Sequence, residues 1–314
     1  MAGPPRVAVA TSGGPDSTAL LHCTLAQAGQ AGVEVWALHV HHGLMPEADA
    51  WQAQVARQAR RWGARYATER LQGAPAKGDS VEAWARQGRY AALARMAKAA
   101  GCGLVLLAQH RRDQAETWLL QALRGAGNAG LSAMPRQAQR DGVTFARPWL
   151  DQPRGAIEAY VRRHRLRVVD DASNADPRYA RSRLRQAVWP ALQAAFPQVD
   201  TVLTMAARHA QAAQALADEV ATADASGVLY GEVLRLAPWR ALSPARRANL
   251  LRAWLQQCLG QGAPQTLVER LLAEAAAGVA PARWPAPGAT VCRRGGELTV
   301  HLAAGATGHR QRAT

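Results

Sequence analysis

Six consecutive residues, Ser12-Gly-Gly-Pro-Asp-Ser17, place two hydroxyls, a carboxylate and a pair of glycines in one short stretch. Gly13 and Gly14 open backbone conformations closed to other residues and let a ligand approach the main chain. Ser12, Asp16 and Ser17 bring side-chain oxygens to a helix start, and Pro15 suits a first helical turn. The N–H groups of such a turn form a receptor for an anion. A second group, His110-Arg-Arg-Asp-Gln-Ala-Glu-Thr117, sets Asp113 and Glu116 three residues apart. On a helix both carboxylates face a nucleotide or its Mg2+, or else they cap the helix. A third group, His39, His41 and His42, invites a metal reading. A strand would put His39 and His41 on one face with His42 opposite, and no cysteine or carboxylate stands at a usual zinc spacing, so a nucleotide-facing loop is preferred.

These groups need elements to bring them together. Arg6 to Ala10 reads as a strand and Asp16 to Gly29 as a helix, so the Gly-Gly loop is a strand-to-helix turn. Val33 to Val40, Arg65 to Leu71 and Gly103 to Gln109 are further apolar strands; helices fill Pro46 to Gly63, the stretch from Ser80, and Asp113 to Arg124. Alternating strands and helices predict a parallel sheet covered on both faces, with Gly103 to Gln109 near its centre and ligands beyond the strand carboxyl ends. On the Ser80 helix, Arg86, Arg89 and Tyr90 share a face, either solvated or functional. The loop lacks the lysine of a Walker motif. Gly125, Gly127 and Gly130 spell G-x-G-x-x-G after a helix instead of a strand, which suits a helix end and not a dinucleotide site.

The chain of 314 residues carries a net charge of +15, with Lys77 and Lys98 its only lysines. Arginine's planar fork suits phosphate, so a polyanionic partner is expected, nucleic acid first. Hydrophobic content of 48% with 19% charged residues fits a globular protein and argues against disorder; with no run of 18 or more uncharged apolar residues and no signal-peptide core before the first strand, a soluble, cytoplasmic protein is expected. Cys23, Cys102, Cys258 and Cys292 form no C-x-x-C pair, which weakens zinc-ribbon and iron–sulfur readings.

The S-G-G-x-D-S loop resembles the PP-loop of the N-type ATP pyrophosphatases. Further blocks narrow the likeness: Val40 to Asp49, His110 to Thr117, Leu123 to Gly127 with Gly130 to Met134, Arg147-Pro-Trp-Leu150, and Asp170 to Arg185. Together they resemble the bacterial tRNA(Ile)-lysidine synthetases. That family usually shows two adjacent acids where this chain has Arg112-Asp113. The resemblance implies ATP held by Ser12, Gly13, Gly14, Pro15, Asp16, Ser17 and His39, catalytic roles for Asp16, Asp113 and Arg124, and Mg2+ on Asp16 and Asp113. Tyr179, Arg181, Arg183 and Arg185 can clamp an RNA backbone, or form a solvated helix start.

The implied fold class is α/β: a parallel-sheet PP-loop ATP pyrophosphatase domain at 1–190, a helical linker at 191–225 and a smaller α+β domain at 226–303, with a disordered tail after that. Arg240, Arg246, Arg247, Arg252, Arg283, Arg293 and Arg294 make the small domain basic and suited to hold RNA. The implied activity is adenylation of C2 of the wobble cytidine in a CAU-anticodon tRNA(Ile), followed by displacement of AMP by free L-lysine. A homodimer is compatible with all of this. Two rivals remain: a PP-loop tRNA thiolase, and a tRNA-binding protein with a degenerate ATP site.

Overall fold

The computed structural model describes residues 3–41, 43, 47–73, 81–169, 178–278 and 280–303, with backbone alone at 81–83. The readings of His42, Pro46, Ser80, the run Asp170 to Asp176 and the tail from 304 lie outside them. The chain divides into Met1–Ala210 and Gln211–Thr314, a division that falls inside one long helix.

In the first unit the order is β1 (Arg6–Ala10), α1 (Pro15–Ala31), β2 (Glu34–His41), α2 (Ala48–Arg61), β3 (Arg65–Arg70), α3 (Val81–Ala99), β4 (Leu104–Leu106), α4 (Arg111–Ala122), α5 (Asn128–Leu131), β5 (Gln137–Arg140), β6 (Val143–Ala146) and α6 (Arg154–Arg163). Next come α7 (Ala180–Arg183), a π-helical turn at Leu184–Val188, α8 (Trp189–Ala195) and α9 (Val199–Ala225). The sheet runs β3-β2-β1-β4-β6-β5, parallel except for β5. Strand period decides its two coats. Ala8, Leu38, Val105 and Phe145 pack with Tyr90, Leu93, Met96 and Ala97 of α3, while Val9, Val35 and Ala37 pack with Leu20 and Leu21 of α1 and Ala59 of α2. The chain leaves β1 for β2 on one side and reaches β4 on the other, so a crevice opens above the carboxyl ends of β1 and β4.

The β5–β6 hairpin was not anticipated. Asp141 and Gly142 form its two-residue turn with φ of 48° and 70°, the paired positive values that match strand twist. Gly125 has φ +69° just past α4, and Gly127 caps α5, so the G-x-G-x-x-G spells a helix end and restart.

The second unit contains the rest of α9, then β7 (Leu229–Tyr230), β8 (Val233–Arg235), α10 (Leu236–Ala241), α11 (Pro244–Leu259), α12 (Gln265–Ala277), β9 (Ala282–Ala286), β10 (Ala289–Arg294) and β11 (Glu297–Leu302). Its antiparallel sheet, β7-β8-β11-β10-β9, keeps Pro285 on an edge strand, where a missing N–H costs least. Trp239, Trp254 and Trp284 are buried in its core, and each indole N–H finds an acceptor: Arg247 O at 3.1 Å, Glu232 O at 2.9 Å and Glu274 Oε2 at 2.6 Å. Three of the arginines expected to face RNA are committed inside this unit. Arg293 is buried and donates to Glu274 O and Ala280 O; Arg240 reaches Gly278 O; Arg246 pairs with Asp224.

Candidate functional site

The Gly-Gly loop is held from behind. Thr11 donates its N–H (2.8 Å) and hydroxyl (3.1 Å) to Leu38 O, which ties the end of β1 to β2. His39, buried, donates Nδ1–H to Thr11 O at 2.8 Å. Burial pushes the imidazole's pKa down, against the Thr11 hydrogen bond, so it stays neutral. Ser17 Oγ accepts from Ser12 N at 3.1 Å and donates to Gly14 O at 3.2 Å, and Thr18 Oγ1 donates to Gly13 O at 3.0 Å. Gly13 has φ +91°, and a Cβ there would lie 2.9 Å from methyls of both Val169 and Val55. Val169 N also donates to Gly13 O at 2.9 Å. The loop is thus locked on its inner side, while the amino end of α1 opens into the crevice.

There a cavity of about 490 Å³ is lined by Ser12, Gly14, Pro15, Asp16 and Ser17 on one wall. Gln109, His110 and Asp113 line it from β4 and α4, and Arg86, Arg89, Arg154, Arg181 and Arg185 from four other segments. Gly13 and His39 are not on its walls; they serve as the support of the loop. A larger hollow of about 860 Å³ lies at the opposite sheet edge beside Trp36, Trp62 and Tyr66. Its carboxylate, Glu34, is tied to Trp36 Nε1 at 2.8 Å and Arg6 at 3.2 Å.

His110, buried at the start of α4, points Nε2 between two carboxylates, 3.7 Å from Asp16 Oδ2 and 3.5 Å from Asp113 Oδ2. Asp113 Oδ2 also accepts from His110 N at 3.1 Å, capping the helix, so the capping reading holds for Asp113. Its other oxygen accepts from Arg185 at 2.8 Å. Glu116 is fully buried, pairs with Arg185 Nε at 2.8 Å and has Arg181 Nε at 3.6 Å. Asp16 is pushed above the ordinary carboxylate value: burial is the main cause and the Asp113 charge adds to it, against His110, Arg154 and Arg185.

The sequence-predicted residues therefore divide. Ser12, Gly14, Pro15, Asp16, Ser17, Asp113, Arg181 and Arg185 meet at the cavity. Arg181 and Arg185, read as RNA clamps, turn inward: Arg181 of α7 and Arg185 of the π-helical turn that follows both reach carboxylates of α4, and Arg181 also donates to Thr117 Oγ1 at 2.6 Å. Tyr179 and Arg183 stay outside the cavity, Arg183 exposed. Arg124 lies past the end of α4, exposed and away from the cavity walls. Arg112 also faces away. It pairs with Asp200 at 3.1 Å, reaches Gln193 Oε1 at 2.7 Å and lies 5.2 Å over the Trp189 ring, so it fastens α4 to α8 and α9. Sequence reasoning missed Arg154, and left Arg86 and Arg89 between solvent and function. Their only signal was the i, i+3 spacing on α3.

His41 is buried and satisfied, accepting from Gly43 N at 3.0 Å and standing 3.0 Å from Asp49 Oδ1. It shares no ligand geometry with His39. Among the described residues no group of three or more His, Cys, Asp and Glu side chains is placed to hold a metal. Both oxygens of Asp113 are engaged, whereas Asp16 keeps lone pairs toward the cavity. Each Asp113 oxygen still has a second lone pair, so a divalent ion carried by phosphates can meet Asp16, with Asp113 the more committed of the two carboxylates.

The PP-loop domain family matches residues 2–192, and the TilS substrate binding domain family matches residues 234–299. The tRNA(Ile)-lysidine synthase of Ralstonia nicotianae is 48% identical over 255 residues, 81% of this chain and 55% of its own length. That of Bordetella pertussis is 42% identical over 275 residues, 85% of this chain and 84% of its own. The chain spans about half the length of the Ralstonia and Burkholderia relatives. Among solved structures, the U34-tRNA thiolase NcsA from Methanococcus maripaludis aligns with a TM-score of 0.56 at 14% identity, over 65% of this chain and 71% of that one, a likeness of fold. With a PP-loop unit, a substrate-binding unit and relatives at this identity along most of its length, the chain belongs to the tRNA(Ile)-lysidine synthase family.

Proposed function

We propose that the chain uses ATP to adenylate C2 of the wobble cytidine in a CAU-anticodon tRNA(Ile) and then joins the ε-amine of free L-lysine to that carbon, releasing pyrophosphate and AMP. The observation that carries this is the convergence of the Ser12–Ser17 loop, Asp16, His110, Asp113 and five arginines on one cavity. The free N–H groups at the start of α1 receive the pyrophosphate portion, and Arg154 and Arg185 offset the charge that develops when the phosphoanhydride breaks. Mg2+ arriving with ATP adds charge neutralisation beside Asp16. Lysine's ammonium must lose a proton before it attacks; His110, flanked by Asp16 and Asp113, is the group placed to orient and accept it. Tyr179 and Arg183, outside the cavity, and Arg252, Arg283 and Arg294 of the second unit are the candidates for tRNA contact.

Two mutational results follow from these roles. Asp113→Asn should lower turnover about 100-fold or more, the usual scale for a lost acid–base partner, with tRNA affinity nearly intact. Steady-state rates and filter binding check this; full activity would sink it. Asp16 protonates at a higher pH than an ordinary aspartate, so MgATP affinity should weaken earlier on acidification than such a carboxylate would allow. Titration calorimetry across pH should find that step in the parent and lose it in Asp16→Asn.

The deciding assay incubates the protein with ATP, Mg2+, radiolabelled lysine and an unmodified CAU-anticodon isoleucine transcript, and counts label retained in RNA. Stable, ATP-dependent label is expected. ATP converted to AMP with tRNA but without label would favour the thiolase, and neither product would leave a binding protein.

A further inference from the structure

Arg147, just past β6, is a buried cation that no carboxylate among the described residues answers. Buried charges are ordinarily paired, because an uncompensated one costs several kcal/mol. Its guanidinium donates to Pro135 O at 2.8 Å and to the phenol oxygen of Tyr90 at 3.0 Å. Tyr90 is itself buried, on α3 behind the cavity wall, with the Phe145 ring edge-on at 5.1 Å between centres. The strands under α3 present apolar side chains, Ala8, Leu38 and Val105 among them.

The charged groups that face Tyr90 are all cationic. Arg86 and Arg89 of α3 hold their guanidinium carbons 5.7 and 5.8 Å from the ring centre, Arg140 of β5 lies at 4.4 Å, and Arg147 meets the oxygen. Arg181 of α7 adds like charge beside Arg89. Among the described residues no carboxylate pairs with Arg86, Arg89, Arg140 or Arg147. Four guanidiniums thus surround one ionisable acid, and that acid is a phenol.

Hydrogen bonding at the oxygen says which form of the phenol fits. A neutral phenol that accepts from Arg147 still carries a proton, and among the described residues no group accepts it. A phenolate has no proton to place, and its bond from Arg147 becomes a charge-assisted one. Burial opposes the anion most, yet Arg147, Arg86 and Arg89 together outweigh it and bring the phenol's pKa below its ordinary value.

We propose that Tyr90 gives up its proton to solvent at a pH where other tyrosines keep theirs, and stands as the counter-ion of the arginines behind the cavity wall. It touches no substrate and is a positioning residue. Through its ring it fixes Arg86 and Arg89, and through Arg147 it fixes Pro135, next to Met134, whose N–H and carbonyl are clasped by Gln114 at 3.0 and 2.9 Å. The consequence for turnover rests on the lysine-transferring function above; the ionisation does not.

The test is a spectrophotometric titration of tyrosinate in the native protein. The chain has five tyrosines, and an ordinary one ionises near about pH 10. One is expected to ionise earlier in the parent, and that step should vanish in Tyr90→Phe. Arg86→Gln, on an exposed side chain, should move the step to higher pH, a readout that does not depend on how well Tyr90→Phe folds. Thermal unfolding gives a second measure. A phenol with a lower pKa folded than unfolded adds stability that is lost as pH falls through its folded value, so the Tm gap between the parent and Tyr90→Phe should widen from neutrality toward about pH 10. Loss of a neutral hydroxyl would leave that gap constant. In the tRNA-dependent reaction Tyr90→Phe should lower kcat/KM about tenfold, the scale of one hydrogen bond to a charged group. Five tyrosines titrating together overturn the proposal, as does an early step that persists in Tyr90→Phe or stays in place in Arg86→Gln. A parent that shows the early step but transfers no lysine would overturn the function and leave the ionised tyrosine standing.

Discussion

Gly13→Val should abolish detectable ATP binding, with affinity falling at least about 100-fold. The residue sits at φ +91°, where an L side chain costs about 1–2 kcal/mol and a β-branched one more. Its Cβ would also meet the Val169 and Val55 methyls at 2.9 Å, closer than packed carbons tolerate, and neither valine is a flexible chain end that can swing aside. Relief requires the loop to shift outward, which breaks the Val169 N to Gly13 O bond and scatters the N–H groups proposed to receive the phosphates. Gly14→Ala is the informative contrast. Gly14 has φ −66°, and its added methyl would meet only Ser12 Oγ, at 3.5 Å, so it should be tolerated far better. Calorimetric titration of both variants with ATP checks the pair; a Gly13→Val protein that binds ATP like its parent would show that the loop is not the phosphate receptor.

Arg185→Ala should lower stability and activity together. Glu116 is fully buried and depends on Arg185 Nε at 2.8 Å; without it the carboxylate keeps, among the described residues, Arg181 Nε at 3.6 Å. Stranding a buried charge costs roughly 3–5 kcal/mol, and because a third of the Arg185 side chain is exposed the lower end applies. For a unit of this size about 3 kcal/mol corresponds to a fall in Tm of roughly 6–12 °C. Asp113 would also lose the partner of its Oδ1. The double variant Arg185→Ala with Glu116→Gln separates the two effects: removing the stranded charge should recover most of the Tm, while turnover stays low because Asp113 Oδ1 has lost its partner and the cavity one positive charge. A single variant melting within a degree of its parent would contradict the electrostatic role assigned to Arg185.

What the sequence made legible was local. The loop from Ser12 to Ser17 declared itself because strand, turn and helix start lie within a dozen residues and each obeys its own rule. Asp113 was legible for the same reason, its cap being three residues away. The pairing of Glu116 with Arg185 spans 69 residues, and no spacing rule reaches that far. Arg181 and Arg185 read as an outward RNA clamp because basic residues at a helix start usually meet solvent; the buried acids of α4 turned them inward. Arg112, where the resembled family usually has an acid, is held by Asp200 and Trp189, partners 88 and 77 residues away that no local pattern announces. Some of what was missed was legible all the same: Asp141-Gly142 between alternating apolar residues is a strong hairpin signal. Arg124, named through the family resemblance alone, sits in solvent past the end of α4 and off the cavity walls.

The placement of β1 at the middle of the sheet has a consequence for how the chain is made. Its partners begin at Glu34 on one side and Leu104 on the other, and β4 in turn waits for β6, which ends at Ala146. β1 precedes both of its sheet neighbours in the chain, and its second side is covered only when β4 arrives. During translation it holds a β1–β2 pair with one open edge while about seventy more residues emerge, the interval in which an exposed parallel edge is most open to mispairing.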